Sequence, residues 1–501
     1  MTDNINPFLL TDFYKVGHPF QYPKGTTLVY SNMTARTSRI KDVNHVVFFG
    51  LQHFIIKYLI GYFNENFFNK RLDRVMREYK EAVQDALGGD LPSYDHIKHV
   101  YELGHLPLKI KAVPEGTLVP IGVPMLTVES TDPKCYWLTN WLETLLSASL
   151  WQSCTSATIA HRFRILLDKH ADKTGMPKDF VNWQGHDFSF RGMSSLESAT
   201  LSGMGHLLSF SGTDTIPAIM GLKQYYAFNG VGVGSVPATE HAVMCAGTQE
   251  SELETFRRLI NEVYPSGIVS IVSDTWDLWK VLTEYMPILK DDIMRRDGKV
   301  VIRPDSGDPV DIICGDAFAK NEAATKGVVE LLWETFGGTV NDKGFKVLDP
   351  HIGVIYGDGI TLERADAICS GLANKGFASQ VVFGIGSYTY QYNTRDTFGM
   401  AMKATYVEAN GKSYDIFKDP ITDDGTKKSA KGLLAVQKKD GNLILKQQIT
   451  RDIEINRNFM KTVFLNGVLY RSSSYGAIKD RLKDPCISLV SAHACNGGED
   501  L

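Results

Sequence analysis

Four apolar runs recur along the middle of the chain, and each stops at a tip of glycines or charged residues. Gly267-Ile-Val-Ser-Ile-Val272 runs into Ser273-Asp274, and Val300-Val301-Ile302 into Arg303-Pro304-Asp305-Ser306-Gly307. Ile352-Gly-Val-Ile-Tyr356 runs into Gly357-Asp358-Gly359, and Gln380-Val-Val-Phe383 into Gly384-Ile385-Gly386-Ser387. Val and Ile runs without alternation suit strands covered on both faces, as in parallel sheets. Pro304 has no N–H to give, so regular pairing should end there and leave Arg303 and Asp305 projecting from the strand's carboxyl end. Helical patterns lie between the runs, over 275–284, 316–336 and 362–376. Strand, polar tip and helix in succession predict an α/β chain: an irregular parallel (β/α) barrel with its chemistry on the tips.

The flanks read differently. Leu108 to Val113 alternates as a half-buried strand, Pro114-Glu-Gly116 turns, and 118–128 continues as strand. Residues 72–87 form a charged amphipathic helix pattern, Thr131-Asp132-Pro133 starts another helix, and Ser194-Ser195-Leu196-Glu197 is a capping box. Beyond Lys403 alternation returns, with turns at Asn410-Gly411 and Lys418-Asp419-Pro420 and strands over 432–436, 443–448 and 462–470. The expected organisation is a barrel over 151–400 and a second, β-rich domain assembled from 1–150 and 401–501.

Composition narrows the function class. Lys and Arg number 53 against 57 Asp and Glu, a formal charge of −4, so no global basic footprint for nucleic acid exists. No apolar stretch approaches the ~20 residues of a membrane span. The N-terminus lacks the basic and apolar regions of a signal peptide. Seven scattered cysteines without CxxC pairs suit reduced thiols in a cytoplasmic setting. There is no Walker loop, no HExxH and no GxSxG. His96 and His99 read as solvated rather than as zinc ligands.

Several polar groups remain as candidates, each with a plain structural alternative. Arg303 and Asp305 are either an ion pair closing a strand or a ligand-facing pair. Arg191, in His186-Asp-Phe-Ser-Phe-Arg191-Gly, precedes a capped helix, where side-chain charge and free N–H groups suit a phosphate; it could equally satisfy local carbonyls. Phe188 is core or a stacking platform, and Asp214 in Gly212-Thr-Asp214-Thr is a turn residue or a ligand acceptor. His241, beside Glu240 and behind the loop Gly230-Val-Gly-Val-Gly234, is a capped surface histidine or a catalytic acid, base or nucleophile. Asp274 with Asp305 could also be the carboxylate pair of a barrel glycosidase.

Taken in order, these segments resemble the nicotinamide phosphoribosyltransferase family of type II phosphoribosyltransferases. The likeness runs from Thr11-Asp-Phe-Tyr-Lys-Val16 through Val113-Pro-Glu-Gly116, Thr131-Asp-Pro133 and Tyr136-Trp-Leu-Thr-Asn-Trp141. It continues in His186-Asp-Phe188, Gly212-Thr-Asp214, Glu240-His241, Ile302-Arg-Pro-Asp-Ser-Gly307, Thr394-Arg-Asp396 and Phe417-Lys-Asp-Pro420. The resemblance implies synthesis of nicotinamide mononucleotide and pyrophosphate from nicotinamide and 5-phosphoribosyl-1-pyrophosphate. Mg²⁺ would be held largely through substrate phosphates. It implies that Phe188 and the partner subunit's Tyr14 sandwich the pyridine ring, that Asp214 accepts from the carboxamide, and that Arg303 reaches the base or its nucleotide. Asp305 would hold the ribose near its developing positive charge, and Arg191 the pyrophosphate. Gly357, Asp358, Gly386 and Ser387 would hold ribose and 5′-phosphate. Arg395, Lys403 and Arg36 would reach the neighbouring subunit's phosphates, which requires a homodimer. His241 would be phosphorylated by ATP to favour synthesis, with Glu240 or Asp274 setting its tautomer. The rival within the class is nicotinate phosphoribosyltransferase.

Overall fold

The computed structural model describes residues 4–418, 421–422 and 429–483. The chain divides into two compact units: Met1–Thr158, Gly221–Asn229 and Asn393–Leu501 form one, and Ile159–Met220 with Gly230–Tyr392 the other. The expected division lay at residues 150 and 400. The segment Gly221–Asn229, inside the span expected for the barrel, belongs to the terminal unit.

In the central unit a six-stranded sheet runs in the order Gly212–Thr213, Gly185–Asp187, Val382–Ile385, Ile352–Tyr356, Asp297–Arg303, Ser266–Val272. Every neighbouring pair is parallel. All four apolar runs contribute to it, the fourth shifted: its strand is Val382–Ile385, so Gly384 and Ile385, expected on the tip, end the strand. Of the four, only Ile352–Tyr356 is buried at every residue, as a run without alternation predicts; along Asp297–Arg303 just Val300 and Ile302 are buried, with Val301 between them partly exposed. The sheet is not six strands wide by hydrogen bonds alone. Residues 234–239 lie along its open side: Gly234 bridges Gly212, and Ala238 bridges Ser270. Ser270 N donates to Pro237 O and Thr239 N to Ser270 O, each at 2.9 Å. This extended segment, broken by Pro237, is the irregular stave that closes the barrel. Parallel strands put all their tips at one end, so the recurrent polar residues share one rim.

Local expectations needed three corrections. The helix expected over 316–336 is two pieces, Glu322–Lys326 and Val328–Phe336, separated at Gly327, whose φ is 79°. The segment expected from 275 becomes helical only at Leu278, where Asp277 accepts from the N–H groups of Trp279 and Lys280. The expected capping box is displaced by one residue: Ser195, not Ser194, is the cap of Leu196–Leu207 and accepts from Ser198 N at 3.0 Å. Ser194 N instead donates to Gln391 Oε1.

The terminal unit is built on an antiparallel sheet of seven strands. Its order is Lys412–Asp415, Met400–Ala409, Thr26–Ala35, Pro124–Ser130, Leu108–Ala112, Lys461–Leu465, Val468–Leu469. Thr26–Ala35 pairs with Met400–Ala409, so the two ends of the chain share one sheet, the β-rich domain expected of them. The amphipathic pattern at Leu72–Leu87 is a helix over those residues. Phe8 anchors an aromatic cluster with Phe63, Phe67 and Trp141, ring centroids 4.8 to 5.3 Å away. His96 and His99 are not solvated as expected. His96 packs edge-on against Phe20 and Trp137, and burial lowers its pKa to about 4. His99 Nε2 lies 3.2 Å from Asp132 Oδ1, within a group that Cys135 completes. Asp419, Pro420, Lys427, Lys428, Cys486 and Cys495 lie outside the described residues. Among the described residues no helix is long and apolar enough to cross a membrane.

Candidate active site

At the barrel rim a cavity of about 660 Å³ is lined by Phe188, Arg191, Asp214, Glu240, Val243 and Arg303. Phe188 follows the strand Gly185–Asp187, and its backbone N donates to Ile385 O at 3.0 Å. Its ring lies across two tips. A Cβ on Gly384 would sit 2.3 Å from the ring, and one on Gly357 would sit 2.9 Å from it, so any side chain at either tip would displace Phe188. These two glycines therefore seat the aromatic platform, a role the sequence reading did not give them. Gly386 meets nothing, and Ser387 opens the short helix Ser387–Tyr390 with its hydroxyl beside Gly192, next to Arg191.

The Arg303 guanidinium stands 5.1 Å from the Phe188 ring centroid and 3.6 Å from the Asp305 carboxylate. The ion pair considered from sequence is present, and Arg303 stacks on the platform as well. Arg303 Nε is buried with no hydrogen-bond partner among the described residues, a donor left for a ligand acceptor. Asp214 is held by its backbone, N to Asp187 O at 3.0 Å, and by its side chain, Oδ1 to His186 Nε2 at 2.9 Å. Ser235 Oγ donates to the same Oδ1 at 2.5 Å. Burial alone would push the Asp214 carboxyl up. His186, Ser235 and Arg303 outweigh it and hold the group below the usual carboxylate range.

Asp305 goes the other way. Burial raises its pKa, Arg303 opposes that, and the carboxylates of Asp274 and Asp358 add to the rise. Asp274 fastens this tip: its Oδ2 accepts from Asp305 N at 2.9 Å and from Ser306 Oγ at 2.6 Å. Its Oδ1 lies 3.2 Å from His241 Nε2. His241 is the first residue of the helix His241–Ala246 and is half-exposed. Of the two carboxylates considered for its partner, Asp274 is the bonded one. Glu240 makes no side-chain hydrogen bond at the cap, although it lines the cavity. With both oxygens engaged, Asp274 is a poor free acid for glycoside cleavage.

Tyr14, Arg36, Arg395 and Lys403 belong to the terminal unit. Tyr14 is 61% exposed on the turn Phe13–Gly17. Arg36 and Lys403 line a cavity of about 540 Å³ with Lys431, Asn32 and Thr34. Burial lowers the Lys403 pKa, and the charges of Arg36, Lys418 and Arg395 lower it further against Glu143. This crowding of cations is what an anion would relieve. Lys431 was missed, because a single lysine in a β-type region carries no pattern; Lys418 was missed although it stood inside Phe417-Lys-Asp-Pro420. His186 and Ser235 were missed as well, although His186 stood inside a motif already singled out.

Comparison with known proteins places the chain. The model of the nicotinate phosphoribosyltransferase (NAPRTase) family matches residues 183–467, and that of the nicotinamide phosphoribosyltransferase N-terminal domain matches 6–110. A nicotinamide phosphoribosyltransferase of Acinetobacter baylyi is 54% identical over 96% of this chain and 98% of its own. The Mycoplasma pneumoniae protein of that name is 37% identical over 86% and 95%. Among solved structures, a nicotinate-nucleotide pyrophosphorylase from Pyrococcus furiosus has a TM-score of 0.57 at 16% identity, covering 97% of each chain. Human nicotinic acid phosphoribosyltransferase has 0.54 at 13%, covering 94% and 93%, a likeness of fold alone. An enzyme more than half identical across nearly its whole length, on a fold whose strand tips gather these residues, leaves one assignment: the chain belongs to the nicotinamide phosphoribosyltransferase family, a family of pentosyltransferase enzymes.

Proposed function

We propose that the protein condenses nicotinamide with 5-phosphoribosyl-1-pyrophosphate, giving nicotinamide mononucleotide and pyrophosphate for NAD salvage in the cytoplasm. The observation that carries this reading is the ionised Asp214 at the edge of the Phe188–Arg303 platform. A carboxylate there accepts from a carboxamide NH₂ and repels the carboxylate of nicotinate.

In this reading the pyridine ring lies on Phe188 with Asp214 fixing its rotation, so the ring nitrogen is aimed at ribose C1. The C1–oxygen bond to pyrophosphate breaks as the nitrogen–C1 bond forms. Positive charge developing on the sugar is met by Asp305, whose position Asp274 secures. Arg191 and Ser387 stand where the phosphates would be held. Mg²⁺ fits this end, since Asp305 and Asp358 offer hard oxygen donors close enough to perturb each other. When bound through the phosphates it supplies charge neutralisation for the leaving group.

His241 is the proposed phosphoryl acceptor. Asp274 occupies its Nε2, which leaves the Nδ1 lone pair to attack the terminal phosphorus of ATP as ADP leaves. The cationic group around Lys403, with Tyr14, is proposed to complete the site of a second copy, making the enzyme a homodimer. Product analysis with nicotinamide or nicotinate, each with and without ATP, tests the function. Equal or preferential use of nicotinate would overturn it in favour of nicotinate phosphoribosyltransferase.

A further inference from the structure

We propose that His186 and Ser235 are positioning residues for substrate selection, together locking the Asp214 carboxylate so that only its Oδ2 faces the base. The inference rests on the reading of this cavity as the nicotinamide site.

Both side chains give a hydrogen to one oxygen. His186 Nε2 is 2.9 Å from Asp214 Oδ1, Ser235 Oγ is 2.5 Å from it, and the two donors are 3.3 Å apart. Oδ1 is thereby saturated, and the imidazole is confined to the tautomer or ionisation state that carries a hydrogen on Nε2. Oδ2 takes no partner among the described residues and keeps its acceptor capacity for a carboxamide N–H. A carboxylate free to turn about its last torsion has no such bias, because its two oxygens exchange roles.

The surroundings are built for this lock. Gly212 leaves room for the imidazole: a Cβ there would lie 2.5 Å from His186 Nδ1. The ring also meets Phe188 edge-on, centroids 5.1 Å apart at 61°, so one histidine contacts both the acceptor and the platform. Ser235 follows Gly234, whose carbonyl accepts from Thr213 N at 2.9 Å. It therefore reaches Asp214 only because the stave at 234–239 closes the barrel. Without these donors a half-buried carboxyl is freer to take a proton, and a protonated Asp214 would donate to nicotinate instead of repelling it.

The experiment measures kcat and KM for nicotinamide and for nicotinate in the parent enzyme, His186→Ala, His186→Gln and Ser235→Ala, with phosphoribosyl pyrophosphate and Mg²⁺. In His186→Ala the KM for nicotinamide should rise about tenfold with a smaller change in kcat, as expected for one charge-assisted hydrogen bond removed from a binding group. The ratio of kcat/KM for nicotinamide over nicotinate should fall in both alanine variants. His186→Gln, whose amide can donate to the same oxygen, should recover most of it. An unchanged ratio in both alanine variants would overturn the proposal, as would a loss confined to kcat or a glutamine variant no better than alanine. If His186→Ala does not fold, Ser235→Ala and His186→Gln decide it by the same ratio. A parent enzyme that does not prefer nicotinamide would instead overturn the functional reading itself.

Discussion

Asp274 and His241 are joined by one hydrogen bond of 3.2 Å, and the same carboxylate grips the Asp305–Ser306 tip through its other oxygen. One side chain thus couples the proposed phosphoryl acceptor to the group proposed to face the ribose. His241→Ala should abolish ATP stimulation while leaving ATP-independent synthesis. Asp274→Ala should lose both, with basal kcat down about a hundredfold, since a preorganised charge at the sugar is disturbed. Assays with and without ATP separate the two variants; equal stimulation in parent and His241→Ala would refute the phosphohistidine.

Asp305 predicts the acid limb of the rate profile. Burial first, and then the charges of Asp274 and Asp358, raise its pKa against the pull of Arg303. In the proposed mechanism the ionised form is the useful one, so synthesis should fall with decreasing pH at a value above the ~3.9 of an unperturbed aspartate. Arg303→Gln removes the lowering partner and should move that limb to still higher pH, whereas Asp274→Asn should move it lower. Profiles of kcat against pH check both directions.

Gly384→Ala tests the seating of the platform. The added Cβ would fall 2.3 Å from the Phe188 ring and 2.8 Å from Gly357 Cα. Overpacking of this kind costs ~1–3 kcal/mol, and displacement of the ring should raise the KM for nicotinamide about tenfold. Thermal melting and steady-state kinetics on the same preparation measure the two effects.

Subunit mixing tests the proposed shared site. Asp305→Asn and Lys403→Ala homodimers should each be nearly inactive. If Lys403 serves the partner's barrel, a mixed dimer holds one intact site, and an equal, re-equilibrated mixture should regain roughly a quarter of parental activity. No recovery, with exchange verified by mass, would place both residues in one chain's site.

The sequence by itself determined the four long strands of the barrel and their tips. β-branched runs, Pro304 and the helix patterns are local signals, read within a few residues. The Leu72–Leu87 helix was legible for the same reason. Short strands were not: Gly185–Asp187 and Gly212–Thr213 hold three and two residues, too few to show a period, and only their neighbours make them strands. Among the candidate site residues, Arg303 and Asp305 were legible as charges ending an apolar run, and Asp214 as a charge in a turn between apolar segments. What their charges do was decided by tertiary structure. Asp214 sits below and Asp305 above the ordinary range because different groups surround them. His186 found its partner 28 residues away, and residues 234–239 closed the barrel by bridging two strands distant in sequence. Such contacts depend on which chain segments the packed sheet brings side by side, and no local pattern encodes that.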